Sequence, residues 1–170
     1  MTGNGGQRRP LDGYGILDTP NEPEFDAIVR EAAAAMGCPI ALVSLLDEHR
    51  QWFKARVGLS VSETPIAISF CTHAVRGGGV FEVENAAKDE RFASNPLVTG
   101  DPGIRFYAGM PLQTEAGQRI GTLCVIDKEP RPGLTAAQRE RLSALAARVM
   151  VLMEARRART AAAEEERPDW

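Results

Sequence analysis

With 170 residues, a formal net charge of −3 and three cysteines, the chain is the size of one domain and lacks the concentrated basic face of a nucleic-acid binder. Cys38, Cys71 and Cys124 contain no CxxC pair, and the two histidines sit in no HExxH run, so neither a disulfide scaffold nor a dedicated metal site is expected. No run reaches the roughly 18 apolar residues of a membrane helix, and no apolar core follows the Gly- and Arg-rich start, which predicts a soluble protein of a reducing compartment, the cytoplasm.

In chain order, residues 1–13 read as a disordered tail. Thr19, Pro20 and Glu22 then suggest an N-cap, a proline at the first helical position and a capping-box acid. Phe25, Ile28, Val29, Ala32 and Met36 follow at helical spacing, giving a helix over 20–36 that Gly37 stops. Pro39 to Leu46 is an apolar run of strand length. Gln51 to Val57 returns as a half-exposed edge strand, with Trp52, Lys54 and Arg56 alternating against Phe53, Ala55 and Val57. Residues 58–68 read as irregular.

Ser69 is placed to cap a short helix through Arg76, which Gly77-Gly78-Gly79 ends. Val80 to Val83 reads as a strand, and Lys88 to Ser94 as a short helix halted by Asn95-Pro96. Two strands, over 105–112 and 119–127, are joined by a hairpin around Glu115-Ala116-Gly117. After the breaker at 129–133, Thr135 and Gln138 form a second capping box. The exit helix, 135–157, carries an apolar seam of Leu142, Leu145, Val149 and Leu152, and a frayed acidic tail over 158–170 follows. Neighbouring strands in sequence favour an antiparallel α+β domain over a doubly wound sheet.

The strand over 105–112 is the most informative. Phe106, Ala108, Met110 and Leu112 point one way; Arg105, Tyr107, Gly109 and Pro111 point the other. A cation, a phenol and a glycine on one face suit a small polar or anionic ligand lying against a sheet whose other face is packed. Arg105 has two readings, an anchor for a carboxylate or phosphate or an internal ion pair with Asp89 or Asp101. Asp89 and Asn95 sit on the segment expected to roof the cavity, as ligand contacts or as turn residues. Phe70, Phe92 and Trp52 read as pocket walls or as core. Cys71, in the first turn of a helix capped by Ser69, could carry a stabilised thiolate. His73, two residues on, points away from it, which disfavours a Cys–His dyad. Cys124 depends on hairpin register: a two-residue turn at Ala116-Gly117 pairs it with Gly109 on the lined face, and an odd loop turns it to the helix side.

The runs GILDTPNEPEFD (15–26), PIALVSLLDEHRQWFKARVGL (39–59), ISFCTHAV (68–75), DERFASNPLV (89–98), IRFYAGMPL (104–112) and RIGTLCVID (119–127) closely resemble the GAF domains of bacterial signalling proteins. The nearest branch is the one found at the N-terminus of sensor histidine kinases and diguanylate cyclases. The resemblance implies a GAF/PAS-like α+β fold over 14–157: a central six-stranded antiparallel sheet, terminal helices on one face, and a ligand pocket under short helices and loops on the other. It also implies a homodimer through helices 20–36 and 135–157, signalling rather than catalysis, and a histidine kinase or diguanylate cyclase as partner. No cofactor is expected, only an unidentified small-molecule ligand. A bilin is not, because the attachment pattern in this superfamily is adjacent Cys-His and this chain has Cys71-Thr72-His73. Two rival readings are a GAF-fold, thiol-dependent reductase of free methionine sulfoxide and a ligand-free dimerisation module.

Overall fold

Six antiparallel strands and four α-helices build the domain, a computed structural model that describes residues 11–166. In chain order these are α1 (Pro23–Met36), β1 (Ile40–Leu46), β2 (Arg50–Val57), β3 (Glu63–Pro65), α2 (Cys71–Ala74), β4 (Phe81–Val83), α3 (Pro96–Thr99), β5 (Phe106–Gln113), β6 (Arg119–Asp127) and α4 (Ala136–Glu166). The sheet order is β3-β2-β1-β6-β5-β4, every pair antiparallel. Long α1 and α4 cover one face; α2, α3 and the loops around them cover the other.

Each face buries its own core. Phe106, Ala108 and Leu112 of β5 join Leu123 and Val125 of β6 under Phe25 and Ile28 of α1 and Leu142, Leu145 and Val149 of α4. The opposite core contains Ile40, Leu42, Phe53, Phe70, Phe92, Tyr107 and Ile126. The two-faced reading of β5 therefore matches the packing: odd and even positions feed different cores.

Local details depart from the sequence expectations in instructive ways. Structure begins inside the expected tail 1–13: Leu11 is already buried, with Tyr14 and Ile16, in the helix-side core. The remainder of the expected tail 1–13 lies outside the described residues, as do positions 167–170. The first helix opens at Pro23, with Glu22 at the N-cap and no side-chain cap. Thr19 instead gives its hydroxyl to the Ile16 carbonyl, so the proposed capping box does not form. At the other end, the Gly37 N–H closes on the Ala33 and Ala34 carbonyls from a left-handed φ of 64°.

Strand β2 is interior, flanked by β1 and β3, because residues 63–65 supply an edge strand where an irregular loop was expected. A bulge between Val43 and Ser44 leaves Lys54 extra in β2: Val43 faces Ala55 and Ser44 faces Phe53. Trp52 and Ala55 thus join the helix-side core and Phe53 the other. Asn95-Pro96, read as a stop, is a start: Asn95 Oδ1 accepts the Leu97 N–H at 2.8 Å and Pro96 occupies the first turn of α3. A 3-10 turn over 86–88 and turns over 90–94 stand in place of the helix expected over 88–94.

The second capping box is present. Gln138 N–H donates to Thr135 Oγ1 at 3.1 Å and Thr135 N–H to Gln138 Oε1 at 2.9 Å. The Glu82 carboxylate of edge strand β4 receives the Leu134 N–H at 2.6 Å and Arg139 Nε at 2.7 Å. The exit helix is thereby fastened to the sheet margin at its start. Farther along, Tyr14 donates to Glu154 and Arg156 to the Tyr14 carbonyl. The helix continues past 157 to Glu166 where a frayed tail was expected.

Candidate functional site

On the face away from the long helices, a cavity of about 170 Å³ opens between the sheet and its loop roof. Leu42 from β1, Phe53 from β2 and Ile126 from β6 form its floor, with Tyr107 and Cys124 beside them. Phe70, Leu97 and Ile104 come from the roof, and Leu59, Val61 and Pro65 from the segment around β3. Plain alternation along β2 sets Gln51 and Phe53 toward the cavity and Trp52 and Lys54 toward the helices, and the bulge then adds Ala55 to the helix side.

A hydrogen-bond chain closes the wall. Ser69 Oγ donates to Gln51 Oε1 at 2.8 Å, and Gln51 Nε2 donates to Thr64 Oγ1 at 2.9 Å, all three residues being buried. This chain joins the roof, β2 and β3, and satisfies polar groups that burial would otherwise penalise. Asn95 Nδ2 adds a bond to the Ile68 carbonyl at 3.0 Å. Sequence reasoning missed Gln51, Thr64 and Glu63 altogether. Period two along β2 puts Gln51 on the same face as Phe53, and that spacing is the signal that could have found it.

Of the residues singled out from sequence, Phe70, Tyr107 and Cys124 line the cavity. Phe92 stacks flat on Phe70, ring centroids 4.1 Å apart, and His73 meets Phe92 edge-on at 4.8 Å. Both therefore buttress the wall from behind. Burial and the charges of Arg76 and Arg91 hold His73 below its ordinary value, against a weaker pull from Asp89. Trp52 belongs to the helix-side core, which removes it from the site. Cys124 faces the cavity because it pairs with Gly109. The register arises from a three-residue loop, Glu115 to Gly117, compensated by an irregularity between Leu112 and Gln113, and not from a two-residue turn.

Arg105 corrects the anionic expectation. Its guanidinium donates to the Val98 and Ile104 carbonyls at 2.9 and 3.0 Å and is absent from the cavity wall. It clamps the loop before β5 and pairs with neither Asp89 nor Asp101. Asp89 pairs with Arg91 at 2.6 Å, which holds its carboxyl below the usual range. The space beside Gly109 is filled: a Cβ there would come within 2.5 Å of the Tyr107 hydroxyl. Among the described residues, the charged side chains lining the cavity are Glu63 and Asp101, both acidic.

The thiols are poor nucleophiles. Burial pushes Cys71 up to about 11, and Thr122 and Ser44 offset only part of this. Ser44 Oγ lies close enough to soften that shift yet makes no hydrogen bond of acceptable geometry. Phe70, not Ser69, precedes the four-residue α2, without a side-chain cap, so the helix-end stabilisation expected for a Cys71 thiolate is outweighed by burial. Burial and the neighbouring Cys71 raise Cys124 to about 12. Tyr107, also fully buried, is raised well above its ordinary value, chiefly by burial. Among the described residues no group of His, Cys, Asp and Glu could hold a metal ion, and no helix is long and apolar enough to cross a membrane.

Comparison with known proteins accords with this architecture. Over 121 residues the chain is 50% identical to the cyclic di-GMP phosphodiesterase PA2567 of Pseudomonas aeruginosa, a match covering 71% of this chain and 21% of that protein. The chain thus spans about a fifth of that relative's length. Among solved structures, a domain of a putative two-component sensor histidine kinase from Sinorhizobium meliloti superposes with a TM-score of 0.64 at 23% identity, covering 87% of this chain and 100% of that one. The GAF domain of an Acinetobacter phosphoenolpyruvate-protein phosphotransferase gives 0.60 at 24%, covering 83% and 84%. A free methionine-R-sulfoxide reductase from Neisseria meningitidis, solved with its substrate, gives 0.60 at 18%, covering 82% and 78%. These structural likenesses speak to the fold. The model of the GAF domain family matches residues 21–153, and with the sheet order and the cavity above, the chain belongs to the GAF domain family.

Proposed function

We propose that this domain is a non-catalytic sensor that holds a small molecule in the cavity under its loop roof and transmits occupancy through α4. The observation that carries this reading is a wall-bonded cavity, partly open to solvent along the segment around β3, on one face of the sheet opposite the core that seats the exit helix. Ligand binding would favour one packing of the roof over another, and strands β1, β2 and β6 touch both cores. The Pseudomonas relative supports an output in cyclic di-GMP turnover; a histidine kinase or diguanylate cyclase fits the same role, in the cytoplasm. A homodimer through α1 and α4 is part of the proposal, supported by the apolar outer side of α4, where Val151 is 68% exposed.

The test is thermal melting of the chain across a metabolite library, repeated with Leu42→Phe, which narrows the cavity. A ligand that binds the folded state alone raises the melting temperature in proportion to its saturation. Compounds that stabilise the wild type and leave Leu42→Phe unmoved support the reading. A library without hits, or hits that ignore the substitution, contradicts it. Sedimentation of the same samples decides the dimer.

One observation favours a second reading, reduction of free methionine sulfoxide: Cys124 lines the cavity and lies within electrostatic reach of the Cys71 thiol. Their raised thiols count against it. Thiol-dependent turnover lost in Cys71→Ser would establish it.

A further inference from the structure

Resting on the sensing reading above, we infer that the cavity selects an uncharged, largely apolar molecule about the size of one aromatic ring and rejects anions. Volume sets the first limit. A cavity of roughly 150 Å³ lined by Leu, Ile and Phe stays dry and accepts benzene, and this one measures about 170 Å³. Its floor is of the same kind, with Leu42, Phe53 and Ile126 beneath Phe70 and Ile104.

Polarity sets the second limit. Of the buried polar side chains in the wall, Gln51 and Thr64 are already bonded to each other and, through Gln51, to Ser69, and the Tyr107 hydroxyl has Thr122 Oγ1 as its partner at 3.4 Å. A strongly polar ligand would have to break that chain to be satisfied. Charge sets the third. Glu63 and Asp101 line the cavity, and Arg50 holds Glu63 from the side at 2.8 Å. The arginine that could have balanced a carboxylate, Arg105, is committed to two backbone carbonyls. An anion drawn inside would lose its hydration without gaining a partner.

Three probes sharing one ring separate these effects: 2-phenylethanol, 3-phenylpropionamide and 3-phenylpropionate, titrated calorimetrically into the whole chain at neutral pH. The alcohol and the amide bind, and the carboxylate binds at least about tenfold more weakly than the amide. Leu42→Phe, checked by a cooperative melt, removes binding of the neutral probes. Equal or tighter binding of the carboxylate overturns the ligand class while leaving a small-molecule pocket in place. Binding that is indifferent to Leu42→Phe overturns the assignment to this cavity. Failure of all three probes overturns the class, and the sensing reading falls with it only when the metabolite library is silent too.

Discussion

Lys54 Nζ lies 2.6 Å from a carboxylate oxygen of Glu22, and the lysine side chain is 0% exposed. The pair exists because Lys54 shares the helix-side face of β2 with Trp52, where the ammonium also donates to Thr19 Oγ1 at 2.8 Å and to the Pro20 carbonyl at 2.6 Å. Arg156 of α4 reaches the same carboxylate at 2.7 Å. One acidic side chain therefore ties a central strand, the N-terminal segment and the exit helix together. Phe53, the preceding residue of β2, lines the cavity on the other side of the sheet.

Removing the acid leaves the buried ammonium without its counter-charge. Glu22→Gln is expected to destabilise the domain by about 2 kcal/mol, below the range for a wholly buried pair because Glu22 partly reaches solvent. Lys54→Met, which removes the buried charge itself, costs about 1 kcal/mol or less. Urea denaturation of the two variants reads the order directly, and a larger loss in Lys54→Met contradicts this account of the pair.

The same pair predicts a pH dependence. Burial raises the Glu22 carboxyl, but the Lys54 hydrogen bond and the charges of Lys54, Arg156 and Arg159 outweigh it, leaving Glu22 below its ordinary 4.5. Its contribution to stability is complete above that ordinary value and is lost as pH falls through the lower folded-state value. Between about pH 5 and pH 3, Glu22→Gln therefore loses less stability than the wild type. Parallel acid-denaturation curves would show that Glu22 is not held down in the folded chain.

Burial should also silence the cysteines. With Cys71 raised to about 11 and Cys124 to about 12, native protein at pH 8 is expected to label with iodoacetamide far more slowly at both positions than after denaturation. Peptide mass spectrometry resolves the sites. Rapid native labelling of Cys71 would reopen the thiol chemistry of the reductase reading.

Two glycines of the central strands are required to unequal degrees. A Cβ at Gly121 would sit 1.9 Å from the Ser44 carbonyl oxygen, whereas one at Gly109 meets the hydroxyl end of the Tyr107 side chain at 2.5 Å. Backbone cannot yield as a phenol can. Gly121→Ala is expected to cost about 3 kcal/mol and Gly109→Ala about 1 kcal/mol. Gly109→Ala also displaces Tyr107, which near-ultraviolet circular dichroism follows.

The fold was legible because period two in β5 and period 3.6 in α1 and α4 encode burial directly. Strand β3 was not: three residues carry no period, and only pairing with β2 defines them. The site was less legible than the fold. Arg105 has the composition of an anion anchor, yet its neighbours Val98 and Ile104 present carbonyls that claim it first. Trp52 and Gln51 exchanged their expected importance because alternation along β2 separates its two faces without saying which one meets the cavity, and the bulge that moves Ala55 leaves no mark in the pattern of apolar residues. Asn95-Pro96 reads equally as an end or a beginning until the chain around it is placed.

The most direct test of the two-sided sheet uses its isoleucines. Ile40, Ile104 and Ile126 line the cavity, while Ile16, Ile28 and Ile120 lie in the helix-side core. In a methyl-labelled sample titrated with 2-phenylethanol, the Ile40, Ile104 and Ile126 resonances are expected to shift together and most strongly, with Ile16, Ile28 and Ile120 following weakly. Shifts concentrated in Ile16, Ile28 and Ile120 would contradict ligand capture on the loop-covered face, and none in any of the six would contradict the neutral, apolar ligand class assigned to it.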